Sequence, residues 1–137
     1  MKIDKLWPTP IGQTEGGISP QATAQLAALI RRRESEKTKV PLGGNPFKAF
    51  VDDGDFYHGT HYNLFDAPDD LPEREAIREF EAFACCTVRE YLREGFGAVD
   101  ADTVELSARC FGHSHIPGVR TFPHYHQASD VVLIHYL

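Results

Sequence analysis

The stretch from Pro72 to Gly97 limits what this 137-residue chain can fold into more than any other. Ile77, Phe80, Ala84, Val88, Tyr91 and Leu92 recur at spacings of three and four, so they share one face of a helix. Glu73, Arg74, Glu75, Arg78, Glu81, Arg89 and Glu90 fall outside that stripe, and Gly95 and Gly97 stop the helix. A stripe with so many large apolar groups is a core face, and we expect a sheet beneath it.

A second helix is predicted upstream. Ser19 is a good N-cap, Pro20 suits the first helical position, and Ala22, Leu26, Leu29 and Ile30 repeat on one face to about Glu36. The basic run Arg31-Arg32-Arg33 is followed at once by Glu34 and Glu36, which reads as a solvated helix end. Residues 2–13 are extended, because Pro8 and Pro10 exclude a helix and confine the segment to edge-strand or loop duty.

Residues 37–70 turn to Gly, Pro, Asn and Asp, with aromatic islands at Phe47, Phe50, Phe56-Tyr57 and Tyr62 to Phe65. A structureless stretch of that length in a compact domain is read as a packed lid. It contains His58 and His61 flanked by Asp52, Asp53 and Asp55, but Gly54 and Gly59 leave nothing periodic to hold those groups, and a polar surface loop is the plainer reading. Gly43-Gly44 lacks the Lys-Ser/Thr that would follow in a phosphate loop.

Residues 104–111 alternate, with Val104, Leu106, Ala108 and Cys110 on one face, and are predicted as a strand. His113 and His115 follow as loop or substrate-contacting residues, and Pro117-Gly118 turns the chain into a hairpin. Val131 to Ile134 is continuously apolar, so this last strand is expected to be covered on both faces. Its position at the end of the chain leads us to expect a domain shortened on its C-terminal side.

His124 and His126 stand in an extended stretch, where alternate side chains share a face with Cα atoms roughly 6.5 Å apart, so both imidazoles can reach one cation. Two neutral rings fill part of the shell of a first-row transition metal and leave positions open for chemistry. Asp130 offers a carboxylate close by, and Arg120, four residues before His124, is a cation on the histidines' face. The plain alternative is a pair of partly exposed strand histidines.

A hydrophobic fraction of 42% and a charged fraction of 25% describe an ordinary globular chain. A net charge of -6 argues against nucleic acid or an anionic membrane as the main partner. Three cysteines, two of them adjacent at Cys85-Cys86, form no disulfide framework and no Cys-x-x-Cys pair. With no apolar leader after Met1 and no run of membrane-spanning length, a cytoplasmic location is expected.

The spacing of Gly118, His124, His126 and Asp130 resembles the first cupin motif, with Asp in place of the usual Glu and Leu137 where the closing Gly would stand. A closer resemblance is to a family of 2-oxoglutarate- and Fe(II)-dependent oxygenases. Phe111, Gly118, His124, His126, Ser129 and Tyr136 fall at that family's signature positions without a gap. Phe111 stands for the usual Trp, Val132-Leu133 for Ser-Gly, and His135 for the first Tyr of its closing strand. Leu6-Trp7-Pro8-Thr9-Pro10-Ile11 is similar to the family's N-terminal segment.

This resemblance implies an α+β single domain over residues 1–137. The expected architecture is a double-stranded β-helix, or jelly-roll barrel, lacking its C-terminal strands and carrying both helices on one outer face. It implies an oxidoreductase, a dioxygenase of unknown substrate, whether a small molecule or a protein side chain, with Fe(II) and 2-oxoglutarate as cofactors. His124 and His126 would hold the metal and Tyr136 would face the keto acid; Asp130, by its nearness, is the candidate third ligand, and of Arg109 and Arg120, neither at a family position, Arg120 is the better candidate cation for the keto acid. The family's distal His and oxoglutarate-binding Arg belong to later strands, beyond Leu137. Two alternatives stay open: a cupin-like metal-binding protein without 2-oxoglutarate, and a non-catalytic remnant of the fold. An uncovered last strand would also invite pairing with a second copy of the chain.

Overall fold

The computed structural model describes residues 1–6, 9–37, 63–112 and 129–137. Two strands, β1 (Lys2–Leu6) and β2 (Thr9–Gln13), form an antiparallel hairpin in which Ile3 pairs with Gly12 and Lys5 with Pro10. Helix α1 follows at Pro20–Lys37, then a 3-10 turn at Leu64–Asp66 and helix α2 at Arg74–Phe96.

The start of α1 follows from its capping chemistry. The Ser19 hydroxyl accepts from the Ala22 N–H at 3.2 Å, and the Ser19 carbonyl takes the first helical bond from Thr23 at 2.9 Å. Ser19 is also fastened to α2, donating its hydroxyl to Glu79 Oε2 at 3.1 Å and its backbone N–H to Glu79 Oε1. At the far end α2 closes on Gly97, in the left-handed region at φ 69°. The Gly97 N–H donates to the Arg93 carbonyl and the Ala98 N–H to that of Leu92, so late carbonyls of the helix are satisfied.

The core lies between the two helices. Ala22, Leu26 and Leu29 from α1 meet Ala76, Ile77 and Ala84 from α2, with Leu64, Phe65 and Ala67 closing one side. Leu29 and Ile77 are the largest fully buried side chains. Glu73, expected to lie outside, is instead 7% exposed and receives both arms of Arg32, Nη1 to Oε1 at 2.8 Å and Nη2 to Oε2 at 3.1 Å. The hairpin rests on the other half of α2, where the Tyr91 hydroxyl donates to the Pro10 carbonyl at 2.7 Å.

The jelly-roll expectation is overturned. Among the described residues the sheet is a single two-stranded hairpin, and the stripe of α2 packs on α1, the 3-10 turn and that hairpin. Residues 104–112 do alternate broadly as expected, with Val104, Leu106 and Cys110 half-buried and Glu105, Ser107, Arg109 and Phe111 exposed, although Ala108 is exposed as well. Several of their backbone groups are met by other partners than a strand. The Leu64 N–H donates to the Cys110 carbonyl at 2.9 Å, the Cys110 N–H to Asn63 Oδ1 at 2.8 Å, and Asn63 Nδ2 to the Ala108 carbonyl at 3.1 Å. The Arg89 guanidinium, also expected outside, donates to the Ala101 and Val104 carbonyls and ties the turn after α2 back onto the helix.

Residues 131–137 likewise carry no strand pairing. Val131, Leu133 and His135 face inward, while Val132, Ile134 and Tyr136 are 51%, 71% and 88% exposed, so one face is bare and not covered as the apolar run suggested.

Two outcomes test this packing. A Cβ at Gly12 would lie 2.7 Å from Met1 Sδ and 2.9 Å from Tyr91 Cδ2, so Gly12→Val should cost about 1–3 kcal/mol in denaturant unfolding. Arg32→Met removes the bidentate partner of a buried carboxylate. It should cost about 2 kcal/mol, more than Glu73→Gln, with the midpoint of urea unfolding as the measurement.

Candidate functional site

The expected site residues divide sharply by position. His124, His126 and Arg120 lie outside the described residues, as do His58, His61, His113 and His115. Their flanks are described: Cys110 on one side and Leu133 on the other both pack against the same helical core. Asp130 sits at a bend, exposed, with no hydrogen bond or ion pair among the described residues. Arg109 is exposed, and Tyr136 is almost fully so.

The last segment is seated by His135. Its ring lies 5.3 Å from the Phe80 ring and 5.4 Å from that of Phe83, centroid to centroid. Burial against these rings pushes the imidazole below its ordinary range, so the neutral form is favoured. Gly17 approaches from the other direction, close enough that a Cβ there would stand 3.4 Å from His135 Cε1.

His135 and its neighbours Ile134 and Tyr136 form one wall of an open cleft of about 350 Å³. The opposite wall is the loop of residues 14–18 between β2 and α1, and Thr23 completes it. Glu15, His135 and Tyr136 bring a carboxylate, an imidazole and a phenol to this cleft, and none of the three is hydrogen-bonded among the described residues. Thr14 and Thr23 are already engaged, accepting from the Gly16 N–H and donating to the Ser19 carbonyl respectively.

Of this group only Tyr136 was expected at a site. Glu15 stands in a loop with no periodicity, and His135 occurs in an apolar run where its pairing with Phe80 and Phe83 requires the helix to be in place. Among the described residues, Cys110 carries the largest shift. Burial, with Glu81 adding to it, pushes its thiol up to about 12, which favours the protonated thiol over the reactive thiolate.

Among the described residues no three His, Cys, Asp or Glu side chains converge as a metal-binding group, and no helix is long and apolar enough to cross a membrane. No family model, no curated protein and no solved structure matches the chain.

The lowered His135 gives a pH dependence of known sign. The folded chain holds this ring neutral where the unfolded chain, at about 6.5, has begun to bind a proton. The stability it contributes is present above that value and lost as pH falls through it. Measured with a chelator present, the thermal midpoint should drop less between about pH 7.5 and pH 5.5 in His135→Phe, which keeps an aromatic ring on Phe80 and Phe83, than in the parent.

Proposed function

We propose that the chain holds a ferrous ion through His124 and His126, with Asp130 as a carboxylate ligand, and serves a 2-oxoglutarate-dependent dioxygenase. The observation that carries this reading is the His-x-His segment itself, set between a turn signal at Pro117-Gly118 and an apolar run. Two features support it. The described flanks of that segment, at Cys110 and Leu133, both pack against one helical core, and Asp130 is exposed with no hydrogen bond or ion pair among the described residues. A carboxylate four residues beyond a histidine pair fits the donor set of a non-haem iron centre.

When bound, ferrous iron supplies the oxygen chemistry, with the keto acid as co-reductant. The chain's part is to hold the metal and to orient the keto acid. Arg120 is the residue for the second task, since a guanidinium can take a carboxylate with two parallel hydrogen bonds. The substrate is a small molecule or a protein side chain.

Equilibrium dialysis with Fe(II) under argon, or with Mn(II), tests the reading. One equivalent should bind, and affinity should weaken as pH falls through about 6.5, because a protonated ring cannot ligate. His124→Ala or His126→Ala should reduce affinity at least tenfold or so, while His58→Ala and His61→Ala leave it unchanged. Succinate release from 2-oxoglutarate then separates the dioxygenase from a metal-binding protein that does not use the keto acid. Failure to bind any metal, or dependence on His58 and His61 alone, would overturn the proposal.

A further inference from the structure

We propose that the cleft between residues 14–18 and residues 134–136 is a binding site for a small organic cation, a ligand bearing an alkylammonium group. This goes beyond the metal reading and uses none of its metal ligands; Tyr136, which the resemblance set against the keto acid, lines this cleft instead.

The case rests on which groups line the cleft and which have no hydrogen bond or ion pair among the described residues. Among the described residues that line it, Glu15 is the one formal charge, and none is Lys or Arg. His135 is fixed by the rings of Phe80 and Phe83, so one member of the site is held by packing. Glu15 and His135 share the cleft but make no hydrogen bond to each other, and burial alone accounts for the state of the imidazole. A neutral imidazole offers an acceptor nitrogen that suits an ammonium N–H, and its remaining N–H gives an anion a hydrogen bond but no ion pair, while Glu15 repels it. Tyr136 adds an exposed aromatic face, a surface that attracts cations.

The volume, about 350 Å³, is at the small end of those that hold organic ligands. Gly16 and Gly17 keep the loop wall thin: a Cβ at Gly16 would meet Thr14 Oγ1 at 3.4 Å and one at Gly17 would meet His135, so larger residues there would narrow the cleft. A metal ion is the weaker candidate, because no third metal-ligating side chain converges with Glu15 and His135 among the described residues.

The test is a titration of the full chain with butylammonium chloride, with EDTA present so that a metal site elsewhere plays no part. The readout is the His135 Cε1–H resonance, assigned by its loss in His135→Phe. The expected result is a saturable shift, with affinity about fivefold weaker in Glu15→Gln and abolished in Glu15→Lys, and no shift with sodium butyrate of the same size. Glu15 is exposed, so both variants retain the fold. A linear, non-saturating response, an equal response to butyrate, or indifference to both Glu15 substitutions would overturn the proposal. So would a His135 shift that zinc chloride produces without EDTA, through Glu15, when butylammonium produces none.

Discussion

The contact between α1 and α2 is the constraint on which the rest of the structure depends. It buries Leu29 and Ile77 completely, each worth about 1.5–3 kcal/mol of transfer free energy, and it is fastened twice by polar bonds. Near the start of α1, Glu79 takes both the hydroxyl and the backbone N–H of Ser19; further along, Glu73 takes both arms of Arg32. The order of these partners along the chain makes the two helices run in opposite senses. A hydrophobic face alone would allow α1 to slide along α2. Two carboxylates, Glu79 on α2 and Glu73 at its N-cap, matched respectively to Ser19 at the start of α1 and to Arg32 within it, select one register.

Everything else is attached to this pair by a few directed bonds. Tyr91 and Gly12 seat the hairpin, with Tyr91 reaching the Pro10 carbonyl and the bare Cα of Gly12 admitting the ring and Met1. Arg89 holds the turn after α2, and Asn63 bonds three ways, to its own 3-10 turn through the Phe65 N–H and to the backbone of Ala108 and Cys110. His135 seats the last segment on Phe80 and Phe83. The result is a helical pair with extended segments laid against it. Glu15 and Tyr136, far apart in the chain, meet at one cleft because β2 leads directly into α1 and His135 is stacked on α2.

Much of the helical half was legible in the sequence. Ser19 and Pro20 announced the start of α1, and the Gly95 and Gly97 pair bracketed the end of α2 at Phe96, because caps and left-handed closures are local chemistry that residue identity decides. The expected stripe of α2 was correct in phase. Its buried members include the small residues Ala76, Thr87 and Gly95 that a count of large apolar groups passes over, since close helix approach favours small side chains. Of the residues at the cleft, Tyr136 was expected to face a keto acid inside a barrel and is instead 88% exposed, and Glu15 and His135 come together with it only through packing.

The sequence by itself determined the two helices, the cap of α1 at Ser19 and the close of α2 at Gly97, the extended character of residues 2–6 and 9–13, and the alternation of residues 104–111 except at Ala108. Each depends on interactions within a few residues, so the local pattern carries the information. Tertiary structure alone decided what the extended segments pair with, which is why the expected barrel is absent and a hairpin stands in its place among the described residues. Alternation reports that successive side chains face opposite ways, and a segment bonded to Asn63 alternates as well as one bonded to a strand. The burial of Glu73 was equally out of reach, because a carboxylate is stable inside only when a cation 41 residues away is brought to it.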